Sequence, residues 1–229
     1  MPHPSEFAAR IRTPRAAALA GIVFAVLLIT VIITLRSGVS DLGQDPGSWV
    51  ASQGGRGSVT VAVNLIPFAG IAFLWFIGVI RTSFGDREDK LFATVFLGSG
   101  LLFVAMLFTT AAAVGSLLAL TADGGQLDGD SQQLLGFLAA QLLGAFGARM
   151  AAVFTLAVTT LGRRTGLIPK WLAVVGYVVP VLLFLTPPLT QWVQLLFPAW
   201  VLLLSVHILF TADAGDGDVV ESRGAPTGP

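Results

Sequence analysis

Arg149 is the residue of this sequence best placed to do chemistry, because it lies inside a long apolar run. An arginine in hydrocarbon costs about 2.5–3.5 kcal/mol or more unless it reaches water or a partner. No aspartate or glutamate lies within the apolar runs, so its candidate partners are amides, hydroxyls, backbone carbonyls or an external anion. Asn64 is expected at a similar depth, and Gln141 lies eight residues earlier on the same helical face. Gln191 and Gln194 begin the sixth span on the same side. These five residues predict a polar cluster in the outer half of a membrane bundle.

Two interpretations of this cluster remain open. Arg149 is a binding residue for an anion or a lipid headgroup, or it lines a transport pathway. Alternatively, it is a structural arginine whose long side chain extends toward the outer surface, bonds nearby amides and fixes the register of its helix. Either way, the side chain is expected to point outward, since Cα–Cβ bonds lean toward the N-terminus of a helix.

Other reactive groups are scarce. The chain has no cysteine and two histidines, which argues against thiolate metal sites, iron–sulfur clusters and disulfides. His207 lies near the inner end of an apolar run without a carboxylate or second histidine beside it. Nucleotide-binding, zinc-protease and serine-hydrolase motifs do not occur. We therefore predict no catalytic residue, no metal site and no cofactor, and a protein that is not an enzyme.

The composition is typical of a membrane protein. Apolar residues make up 55% of the 229 residues and charged residues 11%, against about 25% charged in a soluble domain. Runs this long and apolar predict membrane-spanning helices. The expected fold is all-α, a polytopic bundle over 16–210 with a cytoplasmic tail at 1–15 and a disordered cytoplasmic tail at 211–229. The six predicted spans are 16–35, 59–80, 91–120, 134–161, 171–185 and 189–210.

Basic residues set the orientation, because cytoplasmic loops carry an excess of Lys and Arg. With the N-terminus inside, only Arg36 and Arg56 lie in outer loops. The cytoplasmic segments hold ten basic residues, namely Arg10, Arg12, Arg15, Arg81, Arg87, Lys90, Arg163, Arg164, Lys170 and Arg223. This pattern predicts both termini in the cytoplasm of a bacterial cell, with the chain in the inner membrane. One alternative stays open, in which 171–210 is a re-entrant helical hairpin.

Small residues predict where the helices pack closely. Ala17, Gly21 and Ala25 recur every four residues in the first span. The fourth span is richest and is expected at the centre of the bundle; its small residues are Gly136, Ala140, Gly144, Gly147, Ala148 and Ala152.

The turn between the fourth and fifth spans carries a resemblance. Residues 161–176 read Leu-Gly-Arg-Arg-Thr-Gly-Leu-Ile-Pro-Lys-Trp-Leu-Ala-Val-Val-Gly. This stretch resembles one in uncharacterised six-span integral membrane proteins of bacteria, in which a basic turn is followed by Leu-x-Pro-[Arg/Lys]-Trp-Leu-x-x-x-Gly. Arginine outnumbers lysine eleven to two, as in actinobacteria. The resemblance covers 16 residues and the six-span plan, and it implies no known activity.

Three functions are consistent with these features. The first is a non-catalytic accessory, scaffold or lipid-interacting bundle. The alternative is a transporter or channel for a small solute or anion with Arg149 in its pathway, and the third is a membrane enzyme. The absence of acids in the spans disfavours proton or sodium coupling.

Expected partners are the lipid bilayer, anionic lipids at the cytoplasmic face, and a membrane protein or second copy of the chain. The net charge of zero gives no nucleic-acid surface.

Overall fold

The computed structural model describes residues 4–38, 53–84, 90–122, 127–185 and 192–224, and within these ranges the chain forms helices and no strand. The helices are α1 (Pro4–Gly38), α2 (Gln53–Phe84), α3 (Lys90–Leu120), α4 (Gly129–Arg164), α5 (Lys170–Leu185) and α6 (Leu196–Gly224). Helix α4 contains a π-helical segment, Leu142–Gly147, and a short 3₁₀ helix, Val193–Leu195, precedes α6. The predicted all-α class is confirmed.

Five of these helices contain segments long and apolar enough to cross a membrane: Arg15–Leu35, Gly55–Arg81, Ala93–Leu120, Gly129–Arg164 and Val193–Thr211. They overlap the predicted first, second, third, fourth and sixth spans. Helix α5 is apolar but only 16 residues long. The helical backbone also continues beyond the predicted spans, from Pro4 at one end to Gly224 at the other. Alanine and arginine favour helix within 4–15, and no proline interrupts the chain between Pro198 and Pro226.

The helices form a ring in which each packs against the next and α6 returns to α1. Close approach depends on glycine at two crossings. A Cβ at Gly21 of α1 would collide with the Ser205 hydroxyl of α6 and lie 2.8 Å from the ring of Phe76 in α2. A Cβ at Gly100 of α3 would lie 2.6 Å from Ile77 of α2. Small residues thus allow these helices to approach, as the sequence pattern predicts for the first span.

Phenylalanine rings occupy the centre of the bundle. Phe73 of α2 lies 4.4 Å from Phe24, 5.4 Å from Phe103, 5.0 Å from Phe154 and 5.7 Å from Phe197, measured between ring centroids. These rings come from five different helices, and all are buried. Edge-to-face and tilted pairs at such distances are favourable packing arrangements. The aromatic core, as we call these five rings, closes the axis of the bundle.

The most apolar part of α4 is more buried than the corresponding part of any of the other four long helices. Gly144, Gly147, Ala148 and Ala152 are buried, in keeping with the predicted packing face. A Cβ at Gly136 would meet no atom within 4 Å, and Ala140 is exposed. Most buried residues of α4 therefore lie from the π-helical segment onward, with Ala139 as the one buried residue before it.

Candidate functional site

Arg149 lies two residues after the end of the π-helical segment of α4. In this segment the Ala148 N–H donates to the carbonyls of Leu143 and Ala145, so the regular four-residue ladder is interrupted. Arg149 Nη1 donates a 2.8 Å hydrogen bond to the Ala145 carbonyl. A π segment within an α-helix is rare and frequently marks a functional site. Here the arginine binds the backbone of the interrupted segment.

The Arg149 side chain lies at the margin of the bundle and not at its centre. It is half-buried, and Ala145, Ala148 and Ala152 on the adjacent face are buried. Leu156, two turns further along on the same side, is 44% exposed. The guanidinium therefore lies on the lipid-facing side of α4. Its bond to Ala145 runs toward the N-terminal end of the helix, the direction that the Cα–Cβ geometry predicts.

The structure describes three of the four predicted amide partners of Arg149. Asn64 is exposed on α2, and its Nδ2 donates to the Thr60 carbonyl of the same helix at 2.9 Å. Gln141 is exposed at the start of the π-helical segment. Gln194 is half-buried and lines a small cavity, while Gln191 lies outside the described residues. The hydrogen bonds shown for Arg149 and Asn64 stay within their own helices, and the cluster of five residues stays a prediction.

The cavity beside Gln194 is small and apolar. Its volume is about 20 Å³, which accommodates about one water molecule. The residues that line it are Leu28, Ile32, Phe103, Leu143, Ala148, Ala151, Leu183, Gln194 and Phe197. A buried water usually makes two to four hydrogen bonds, and Gln194 contributes the one polar side chain. The lining fits an apolar packing gap better than a solute site.

Helix α4 carries buried hydroxyls toward α5 that the sequence did not predict. Thr155 and Thr159 are fully buried. Thr159 Oγ1 lies 2.7 Å from the Thr155 carbonyl and 3.3 Å from the Gly176 carbonyl of α5, and it donates to both. A Cβ at Gly176 would also approach Trp200 Nε1 of α6 to 2.9 Å. Threonine in the middle of an apolar run is the only signal that the sequence gives for this contact between α4 and α5.

Two buried polar atoms have no hydrogen-bond partner within the described part of the chain, Trp200 Nε1 and Ser205 Oγ. Their side chains are 1% and 0% exposed. They lie on different helix contacts, Trp200 near Gly176 and Ser205 near Gly21. Each is therefore an uncompensated polar atom at a close helix contact of the described chain.

His207 lies near one end of the bundle, opposite Trp171. The ring centroids are 6.2 Å apart and the planes are nearly perpendicular. His207 is half-buried and Trp171 is 55% exposed. Within the described ranges, no three His, Cys, Asp or Glu side chains come together in a group that could hold a metal ion.

Fold and composition together define the class: long apolar helices packed around an aromatic core indicate a helical membrane protein. Comparisons with protein-family models, curated proteins and solved structures give no match to the chain.

Proposed function

We propose that the chain crosses a bacterial inner membrane six times with both termini inside. The excess of basic residues on one side supports this orientation. Helix α5 is about 24 Å long at 1.5 Å per residue, short for a span. Its Trp171 lies beside His207, whereas its Leu183 lines the same cavity as Leu28 and Gln194. Contacts at these two levels of the bundle favour a full crossing of the membrane by α5, and they disfavour a re-entrant hairpin.

Within that membrane the protein acts as a non-catalytic accessory or scaffold bundle that interacts with lipid. The observation that carries this proposal is the aromatic core, in which Phe73 contacts rings from four other helices. A transport pathway requires a polar route through the bundle, and the rings occupy its axis. An enzyme requires a pocket with a cluster of titratable groups, and Arg149 stands at the lipid-facing margin.

Arg149 supports the lipid interaction. A guanidinium has five N–H donors, and the structure shows one of its nitrogens bonded to the Ala145 carbonyl. We estimate that Arg149 lies about 9 Å below the outer surface, by counting about 20 residues of hydrocarbon back from Arg163. The remaining donors are within reach of a lipid phosphate in the outer leaflet, which arginine binds well.

The proposal is tested by purifying the full chain from its membrane and identifying retained lipids and proteins by native mass spectrometry. Arg149→Leu is compared with Arg149→Lys, which keeps the charge. We expect loss of bound anionic phospholipid with Arg149→Leu and retention with Arg149→Lys. Equal lipid retention by all three proteins would contradict the lipid contact.

The same preparation separates the alternatives. Proteoliposomes containing the wild-type chain should be no more permeable to small anions than empty liposomes. Anion flux that Arg149→Leu abolishes would replace the scaffold proposal with a transport pathway. For the topology, reporter fusions should place the 81–90 turn in the cytoplasm, and an outside location would overturn the orientation.

A further inference from the structure

Helix α2 presents a continuous face to the lipid with a polar residue at its centre. The exposed side chains on this face are Thr60, Val61, Asn64, Pro67, Phe68, Ile71 and Trp75. The opposite side of the helix carries the buried residues Ile66, Phe73 and Ile77. Asn64 lies midway across the exposed arc when the residues are projected at 100° each. We call this surface the lipid face of α2.

Asn64 lies well inside the hydrocarbon. Arg56 and Arg81 are 25 residues apart, or about 38 Å along the helix axis, whereas hydrocarbon is about 30 Å thick. Centring the hydrocarbon between the two arginines places the Asn64 Cα about 8 Å below its outer boundary. A side chain as short as asparagine does not extend that far, so its amide stays among lipid tails.

The Asn64 amide is only partly satisfied by its own helix. Nδ2 donates to the Thr60 carbonyl, and this is the one hydrogen bond that the structure shows for the side chain among the described residues. The amide has a second N–H and a carbonyl oxygen with two lone pairs. Leaving these groups in hydrocarbon is costly, and asparagine in membrane helices commonly bonds across to another helix.

We propose that the lipid face of α2 is the interface with a second copy of this chain. Two copies inserted in the same orientation place Asn64 at identical depth, since depth is fixed by the helix and not by the partner. An amide is self-complementary, because each supplies both a donor and an acceptor. A two-fold axis along the membrane normal brings the two α2 helices together in parallel, with the Asn64 amides paired and the neighbouring apolar side chains packed. This inference goes beyond the proposed function and requires only that α2 spans the bilayer.

The absence of cysteine makes the test direct, because one introduced thiol is then the only thiol in the chain. Ile71→Cys puts it on the lipid face of α2, two turns from Asn64. Val181→Cys on α5 is the matched control: Ile71 and Val181 are 51% and 52% exposed, and each lies 10 or 11 residues from the basic end of its helix. After mild oxidation in native membranes, we expect a disulfide-linked dimer with Ile71→Cys and none above background with Val181→Cys.

The role of Asn64 is tested on the Ile71→Cys background. Asn64→Leu should weaken dimerisation by about 3- to 20-fold, as expected for one interhelical polar contact, and Asn64→Gln should retain most of it. Both changes face lipid, so the thermal unfolding of the monomer in detergent should be unaffected.

Three outcomes overturn the proposal. Equal cross-linking at 71 and 181 would show random collision in the membrane. Unchanged cross-linking with Asn64→Leu would remove the amide pair that selects this interface. A product of Ile71→Cys heavier or lighter than a dimer of this chain would assign the face to a different membrane protein. Neither the lipid retention nor the anion flux described above affects these results.

Discussion

Arg56 at the start of α2 joins Thr121 at the end of α3. Arg56 Nη1 donates to both the carbonyl and the hydroxyl oxygen of Thr121, each at 2.9 Å, and Nη2 donates to the Leu118 carbonyl at 3.0 Å. The last carbonyls of a helix have no partner within it and form the negative end of its dipole. Arg56 therefore caps α3 from a neighbouring helix and links the two at one end of the bundle.

Replacing Arg56 by alanine should lower the free energy of unfolding by about 1.5–3 kcal/mol, the range for hydrogen bonds to a charged group. The measurement is thermal unfolding in detergent. Arg163→Ala is the control, because it removes an equal charge from an exposed position in the last turn of α4. Equal melting temperatures for the two variants would argue against the cap.

Gly176→Ala should destabilise the contact of α5 with α4 and α6. The added Cβ would collide with the Thr159 hydroxyl and lie 2.9 Å from both Thr159 Cγ2 and Trp200 Nε1. Overpacking of this kind costs about 1–3 kcal/mol. Gly98→Ala on α3 is the matched change, since a Cβ there meets nothing within 4 Å, and alanine favours helix by roughly 0.5–1 kcal/mol over glycine. In thermal unfolding, Gly176→Ala should have a lower melting temperature than the wild-type chain, and Gly98→Ala an equal or higher one. A lower melting temperature for Gly98→Ala than for Gly176→Ala would refute the close approach at Gly176.

Ser205→Ala should leave stability unchanged or increase it by up to about 1–3 kcal/mol, because it removes a buried hydroxyl that lacks a partner. Thr155→Val is the contrast. Thr155 Oγ1 donates to the Ala151 carbonyl at 2.8 Å, so its loss should cost about 0.5–1.5 kcal/mol. If Ser205→Ala proved the more destabilising of the two in detergent unfolding, Ser205 must have a hydrogen-bond partner in the folded protein.

The start of α4 should depend on pH through Asp128. A hydrogen bond from the Ser131 side chain, then one from the Ser131 N–H, holds the pKa of Asp128 below its ordinary value. A lowered pKa means that the carboxylate stabilises this turn at neutral pH and that the contribution is lost as pH falls through the lowered pKa. The Ser131 amide resonance, followed by NMR from pH 7 to pH 2, should shift with a midpoint below about 3.9, the ordinary value for aspartate. Asp128→Ala should remove the transition, and a midpoint above that value would contradict the hydrogen bonds from Ser131 to the Asp128 carboxylate.

The helices could be predicted from the sequence because the apolar runs are longer than most soluble helices. The directions in which the side chains of the predicted polar cluster face could not, since depth along a helix does not determine which way a side chain faces. Asn64 and Arg149 point to lipid from different helices, and their rotation is set by packing at residues such as Gly21. The π-helical segment between Gln141 and Arg149 further alters the register that a regular helix would keep. Arg56 was interpreted only as a loop charge, because the cap joins residues 65 apart in the chain.

The central claim is that the aromatic core closes the axis of the bundle to water. The accessibility of residue 151 to water tests this claim most directly. Ala151 is 1% exposed and lines the small cavity beside Phe103 and Phe197 of the aromatic core, so water that passes these rings would reach a thiol placed there. In a chain without other cysteines, Ala151→Cys is treated with a charged thiosulfonate reagent from either side of the membrane. Asp130→Cys, at the exposed start of α4, shows that the reagent is active. The closed core predicts modification at 130 and none at 151; modification of 151 at a comparable rate would show that water enters the bundle.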